Sequence, residues 1–219
     1  MRRDRSVFLL TGFGPFPGAP RNASSLLIDE LAHLARGRLP GYAVHAETLP
    51  TEWRAGPARL DALLREFDPA IALHFGVSHR ARGFVVETRA RNARQDICDA
   101  CGAAPDAQVI VEHGPDELPA TLPTGLIVER LRRLGLPVEL SRDAGGYLCN
   151  AVLYHSLSEA RSRDARGLGA RRGFIHIPDS LSKGRGGATR RSRASLLDWN
   201  TALLGGLEIM TACAGIAER

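Results

Sequence analysis

The sequence predicts one α/β domain over residues 1–219, a three-layer α/β/α sandwich with a mainly parallel, twisted sheet and helices on both faces. Three observations lead there. Short apolar runs alternate with stretches whose leucines recur at helical spacing, the pattern of strands joined by crossover helices. The apolar runs are continuous rather than alternating with polar residues, as in strands covered on both sides. With 219 residues, 44% of them hydrophobic, the chain can bury one sizeable core and is short of the length at which splitting becomes usual.

The elements follow in order. Val7 to Thr11 is the first apolar run, halted by Gly12-Phe13-Gly14-Pro15-Phe16-Pro17-Gly18, a loop too rich in Gly and Pro for helix or strand. Asn22 to Ser25 offer capping side chains before Leu26, Leu27, Leu31 and Leu34, so a helix is expected to about Leu34. A strand over Tyr42 to Leu49, a helix from about Gly56 to Glu66 and a strand over Ala70 to Phe75 come next. Phe84-Val85-Val86 leads into Glu87, after which residues 92–123 mix Pro, Gly, Asp and two cysteines without a period and yield no element. Thr124 is expected to cap a helix bearing Leu126, Ile127, Leu131 and Leu134, closed by Gly135 and Pro137. Val138 to Leu140 reads as a strand, Asp143-Ala144-Gly145-Gly146 as a turn, Leu148 to about Arg161 as a helix, and Gly173 to Pro178 as a strand. A Gly/Arg-rich segment from Lys183 to Arg193 precedes the last helix, expected from about Ser195 to Ala217 with Leu196, Leu203, Leu207, Met210 and Ala214 on one stripe.

Composition narrows the function. Charged residues make up 24% of the chain, with both signs interleaved, and the net charge is +5. No run of 18 apolar residues exists, which excludes a spanning helix, and the N-terminal residues lack the apolar length and cleavage site of a secretory signal. A cytoplasmic protein is expected. Lys183, Arg185, Arg190, Arg191 and Arg193 form a basic run without interleaved aromatics, so a solvated loop is expected there and no nucleic-acid partner. His74, inside an apolar strand, reads as a core histidine.

Four cysteines, at 98, 101, 149 and 213, are too few for a disulfide scaffold and stand as thiols, ligands or nucleophiles. Cys98 and Cys101 form a CxxC with His113 downstream, but a structural zinc needs four ligands and no second pair follows, so no metal is expected. Cys213 lies on the apolar stripe of the last helix and reads as core. Cys149 opens a helix after a Gly-Gly turn. A helix start and a neighbouring imidazole both favour thiolate, the nucleophilic form. In sheets of this kind ligands sit beyond the strand ends, where the Gly12 to Gly18 loop, Glu87 and His176 fall. His176 can serve as base and then acid toward Cys149, and Glu87 can hold the ring in one tautomer.

These residues also carry a resemblance. Leu9-Leu10-Thr11-Gly12-Phe13-Gly14-Pro15-Phe16, Val86-Glu87-Thr88-Arg89-Ala90-Arg91-Asn92, Ser141-Arg142-Asp143-Ala144-Gly145-Gly146-Tyr147-Leu148-Cys149-Asn150 and Gly173-Phe174-Ile175-His176-Ile177-Pro178 resemble, in order, segments of the pyroglutamyl peptidase I family of cysteine peptidases. The resemblance implies Cys149 as nucleophile, His176 as general base then acid, and Glu87 as the residue orienting it. It implies Phe13 and Phe16 packing on the substrate ring, with Tyr147 near the same pocket in place of a phenylalanine. An arginine after the glutamate's strand would help at the oxyanion, and both Arg91 and Arg94 are candidates. The implied enzyme needs no cofactor, acts on peptides bearing N-terminal pyroglutamate, and forms a homo-oligomer, often a tetramer in relatives. Three segments depart from the family pattern: Phe75-Gly76-Val77-Ser78-His79-Arg80, Thr88 where arginine is usual, and Ala93-Arg94-Gln95-Asp96-Ile97-Cys98. These departures leave a second expectation, an amidase of the same fold acting on another small cyclic or N-acylated amide. A third is a nucleic-acid-binding module with a vestigial triad.

Overall fold

A computed structural model describes residues 5–17, 19–165, 169–183 and 196–216. In chain order the elements are β1 (Ser6–Phe13), α1 (Ala23–Ala35), β2 (Tyr42–Leu49), α2 (Ala55–Phe67), β3 (Ile71–Ser78), β4 (Phe84–Glu87), β5 (Arg89–Arg91), β6 (Glu117–Pro119), α3 (Thr124–Arg133), β7 (Val138–Ser141), α4 (Leu148–Asp164), β8 (Arg171–Pro178) and α5 (Trp199–Ala214), with a 3₁₀ turn at Asp179–Lys183 after β8. Six strands form one sheet in the order β2-β1-β3-β8-β4-β7. All neighbours in it are parallel except β4 and β8.

That antiparallel pair has a local cause. Only residues 79–83 separate β3 from β4, too few for the crossover that returns a chain to the starting edge. The chain therefore re-enters the sheet from the end at which it left, and β4 runs opposite to β3 and β8. The sheet is mainly parallel, as the sequence predicts, with this one reversal carried on to β7.

Side-chain alternation divides the core in two. Phe8 and Leu10 of β1, Leu73 and Phe75 of β3 and Ile175 and Ile177 of β8 pack beneath α1, α3 and α5. Leu9, Ala72 and Phe174 face the other way, onto α2 and α4. This second face holds His74, fully buried between Thr11 Oγ1 and Ser156 Oγ at 2.8 Å each. Burial, with a contribution from Arg172, lowers its pKa to about 3, so it is the neutral core histidine expected. Cys213 is buried in the opposite layer, where burial pushes its thiol up to about 12.

Asn22 caps α1 by accepting from the Ser24 N–H. Two boundaries differ from expectation. Thr124 is the first residue of α3 rather than its cap; Pro123 takes the cap position and supplies no side-chain bond. The last helix starts at Trp199, because Asp198 and Thr201 form a capping box in which each side chain accepts from the other's backbone N–H, at 2.8 and 3.0 Å. Leu196 precedes it, 53% exposed and off the apolar stripe. Residues 184–195 and 217–219, which include most of the arginine-rich segment and both expected ends of that helix, lie outside the described residues. Among the described residues no helix is long and apolar enough to cross a membrane.

Between β1 and α1 the backbones touch. A Cβ at Gly12 would lie 2.7 Å from the Ser24 carbonyl carbon and 2.8 Å from the Ser25 nitrogen, and neither is a side chain able to swing aside. Gly12→Ala is therefore expected to lower the unfolding free energy by about 2 kcal/mol in urea denaturation, by forcing α1 off the strand.

Candidate active site

Cys149 is the second residue of α4. Gly145 takes φ +82, which turns the chain, and Tyr147 enters the helix extended, without a side-chain cap. The sulfur reaches back over the sheet to β3. A Cβ at Gly76 would lie 3.0 Å from Cys149 Sγ and 2.6 Å from Phe174 Cζ. Only a glycine leaves room there for the thiol and the aromatic ring together.

Gly76 stands opposite His176 of β8, His176 opposite Val85 of β4, and Val85 opposite Glu139 of β7. Glu87 is two residues beyond Val85 and so shares its face of the sheet. The reversal of β4 thus brings Glu87 Oε1 to 2.8 Å from His176 Nδ1. Glu87 is 2% exposed and His176 8%. Burial disfavours the charged ring, but Cys149, by charge and hydrogen bonding, and then Glu87 outweigh it, and the His176 pKa is pushed up to about 10.

Asn150, next to the cysteine and fully buried, ties α4 to the strand carrying Arg91. Its Oδ1 accepts from Arg91 N at 2.9 Å, and its Nδ2 donates to Arg91 O at 2.8 Å and Ala93 O at 2.9 Å. Arg91 lines the cleft in front of Cys149, its guanidinium held by Asp143 Oδ1 at 2.6 Å. Arg94 faces elsewhere: it donates to Ile110 O and lies 5.8 Å over the Trp53 ring. Of the two arginines the sequence leaves open, the fold brings Arg91 to the site and turns Arg94 into the supporting loop.

A small cavity of about 40 Å³ adjoins the sulfur, lined by Phe13, Phe16, Asn22, Thr51, Val77, Tyr147, Leu148 and Cys149. Phe13 also plugs the core against Phe174, at 6.3 Å between centroids. Phe16 and Tyr147 lie 6.5 Å apart. Trp53 sets Tyr147 from behind, edge-on at 5.2 Å, and is itself fixed by donating from Nε1 to Ile97 O at 2.8 Å. Burial, followed by the charges of Asp99, Cys149 and Cys98, raises the Tyr147 phenol to about 12. The segment without periodicity is ordered around buried Asp99, whose carboxylate accepts from the backbone N–H groups of Trp53, Cys101 and Ala103. Cys98 and Cys101 are exposed free thiols on that loop. Beyond the cavity the site widens into a cleft of about 650 Å³ that includes Glu87, Arg91, Glu139, Cys149 and His176.

Of the residues proposed from the sequence, Cys149, His176, Glu87, Phe16, Tyr147 and Arg91 line one cleft, and Phe13 lines the small cavity that adjoins it. Gly76, Asn150 and Trp53 were not among the sequence's candidates. An isolated glycine in an apolar strand was the available signal for Gly76; the other two act through contacts 44 to 59 residues away in sequence, which no local pattern reports.

The chain is similar in sequence and in fold to known proteins. A family model described as pyroglutamyl peptidase matches residues 6–183. The chain is 32% identical over 180 residues to pyroglutamyl-peptidase 1 of Mus musculus, covering 81% of each protein. It is 39% identical over 171 residues to a pyrrolidone-carboxylate peptidase of Cupriavidus pinatubonensis, covering 78% of this chain and 77% of that one. The crystal structure of pyroglutamyl peptidase I from Bacillus amyloliquefaciens superposes with a TM-score of 0.82 at 25% identity, over 96% of this chain and 98% of the other.

Asn150→Ala removes one acceptor and two donors from a dry site, leaving the Arg91 N–H unpaired. It is expected to cost about 2 kcal/mol of stability, and to lower kcat for the enzyme's substrate at the same time. Denaturation and steady-state kinetics on one preparation check this; lost stability with kcat intact would show that Asp143 alone positions Arg91.

Proposed function

Because the chain belongs to the pyroglutamyl peptidase family, a family of cysteine peptidases, we propose that it removes pyroglutamate from the N-terminus of peptides with Cys149, His176 and Glu87 as its catalytic triad. The observation that carries the reading is the Glu87–His176 contact beside a helix-start cysteine, with a small, mostly apolar cavity opening at the sulfur.

The chemistry follows from those positions. With a pKa of about 10, His176 is an imidazolium at neutral pH, and its Nδ1–H donates to Glu87. The Cys149 thiolate attacks the pyroglutamyl carbonyl carbon, and the C=O electrons move onto oxygen. Tyr147 supplies no capping side chain, so first-turn N–H groups of α4 can meet that oxyanion. Arg91, with Nε buried and without a protein partner among the described residues, adds a charged donor. His176 then protonates the departing amine as the C–N bond breaks, leaving a thioester. The neutral ring next takes a proton from water, hydroxide attacks the thioester, and pyroglutamate departs as the thiolate is restored. The lactam is small and uncharged, which suits a cavity walled by Phe13, Phe16 and Tyr147.

Tyr147 favours one other reading. Its hydroxyl lies 3.5 Å from Cys98 O in the divergent loop, so the same triad can serve a different small cyclic or N-acylated amide. A fluorogenic panel separates the two. Pyroglutamyl aminomethylcoumarin is expected to be cleaved faster than prolyl or N-acetyl-alanyl analogues, and Cys149→Ala to lower kcat by at least about 10³-fold. Arg91→Ala is expected to lower kcat about 100-fold, the cost of one oxyanion donor, whereas Arg94→Ala leaves it within a few-fold. Absence of cleavage of the pyroglutamyl substrate, or full activity in Cys149→Ala, contradicts the proposal.

A further inference from the structure

We infer that Glu139 forms a subsite for the leaving peptide and gives the enzyme a preference for basic residues just after the scissile bond. The inference rests on the acyl-side assignment above and concerns the opposite half of the cleft.

The sheet order gives the substrate a direction. The lactam cavity draws its walls from the β1 and β3 side, through Phe13 and Val77. His176, the proton donor to the departing amine, is on β8, next across the sheet. The amine therefore leaves toward β4 and β7, where the larger cleft continues. Along that path the register places Val85 and then Glu139 beside His176, in one row and on one face. Strands lie ~4.8 Å apart, so Glu139 stands ~10 Å from His176, the span of two to three extended residues. A lysine or arginine at the first or second position of the leaving peptide can reach its carboxylate across buried, apolar Val85.

Charge in the cleft points the same way. Three carboxylates line it: Glu87 is engaged by His176 and Asp143 by Arg91. Glu139, exposed on the edge strand, has no ion pair among the described residues. His79 and Arg80 also border the cleft, but on the turn after Ser78, which pairs with Pro178, two residues past the His176 row. A peptide following the row meets Glu139 first.

The test uses C-terminally amidated peptides, pyroglutamyl-Lys-Ala, pyroglutamyl-Ala-Lys, their glutamate counterparts and pyroglutamyl-Ala-Ala, so that no terminal carboxylate engages Arg80. For the wild-type enzyme kcat/KM is expected to be about fivefold higher for the better lysine peptide than for its glutamate counterpart, the scale of an exposed ion pair. The ratio should fall toward one at 1 M salt, vanish in Glu139→Gln and invert in Glu139→Lys. A ratio of two peptides on one preparation is independent of the folded fraction. Equal rates across the series, or a lysine preference kept by Glu139→Gln, overturns the subsite and leaves the pyroglutamyl assignment standing; cleavage of none of the five overturns both.

Discussion

Glu87 is a carboxylate almost wholly removed from water, and a charge so placed is tolerable only beside a partner. The partner is the His176 ring, 2.8 Å away, and the architecture of the site serves to hold those two groups together. They are 89 residues apart in sequence, so nothing local can do it. The sheet does: five residues after β3 force β4 to run against β8, and that register sets Glu87 against the ring. A crossover helix in place of residues 79–83 would have delivered a parallel strand with a different register.

The thiol joins this pair from another layer. Helix α4 packs on the face of the sheet that carries His176, with Leu148, Ala151 and Val152 in the same apolar cluster as Phe174. Gly76 lets the sulfur descend onto the strand next to the histidine. Asn150 then fastens the backbone of residues 91–93 to the helix one residue past the nucleophile. The start of α4, with Cys149, and the strand carrying Arg91 are thereby fixed to each other, the preorganisation that a donor needs if it is to be in place before charge develops on a substrate.

Much of this was legible in the sequence. Continuous apolar strands and leucine-spaced helices are local signals, and the six-stranded sheet and both helical layers follow from them. Chain punctuation makes Cys149 after two glycines, His176 near the end of an apolar strand and Glu87 closing another candidates only; their proposed roles come from the resemblance to the family. What stayed hidden depends on distant partners. The direction of β4 is set by which strand lies beside it, and β5 with β6 is a three-residue pairing across a gap of 25 residues. The loop between them is ordered by a buried carboxylate gripping three N–H groups, a device with no period. Thr124 looked like a cap because its side chain suits one, yet Pro123 took that position. Nothing local distinguishes Arg91 from Arg94; the Trp53 ring, against which Arg94 lies, does.

The proposed chemistry needs the proton of the site on His176, held there by Cys149 and Glu87. Nitrogen-15 NMR of the ring in the intact enzyme tests it most directly. An imidazolium is expected at pH 8, with both nitrogens protonated and titrating near the value of about 10 that its surroundings set. A neutral ring at pH 8, titrating near the unperturbed value of about 6.5, would contradict it.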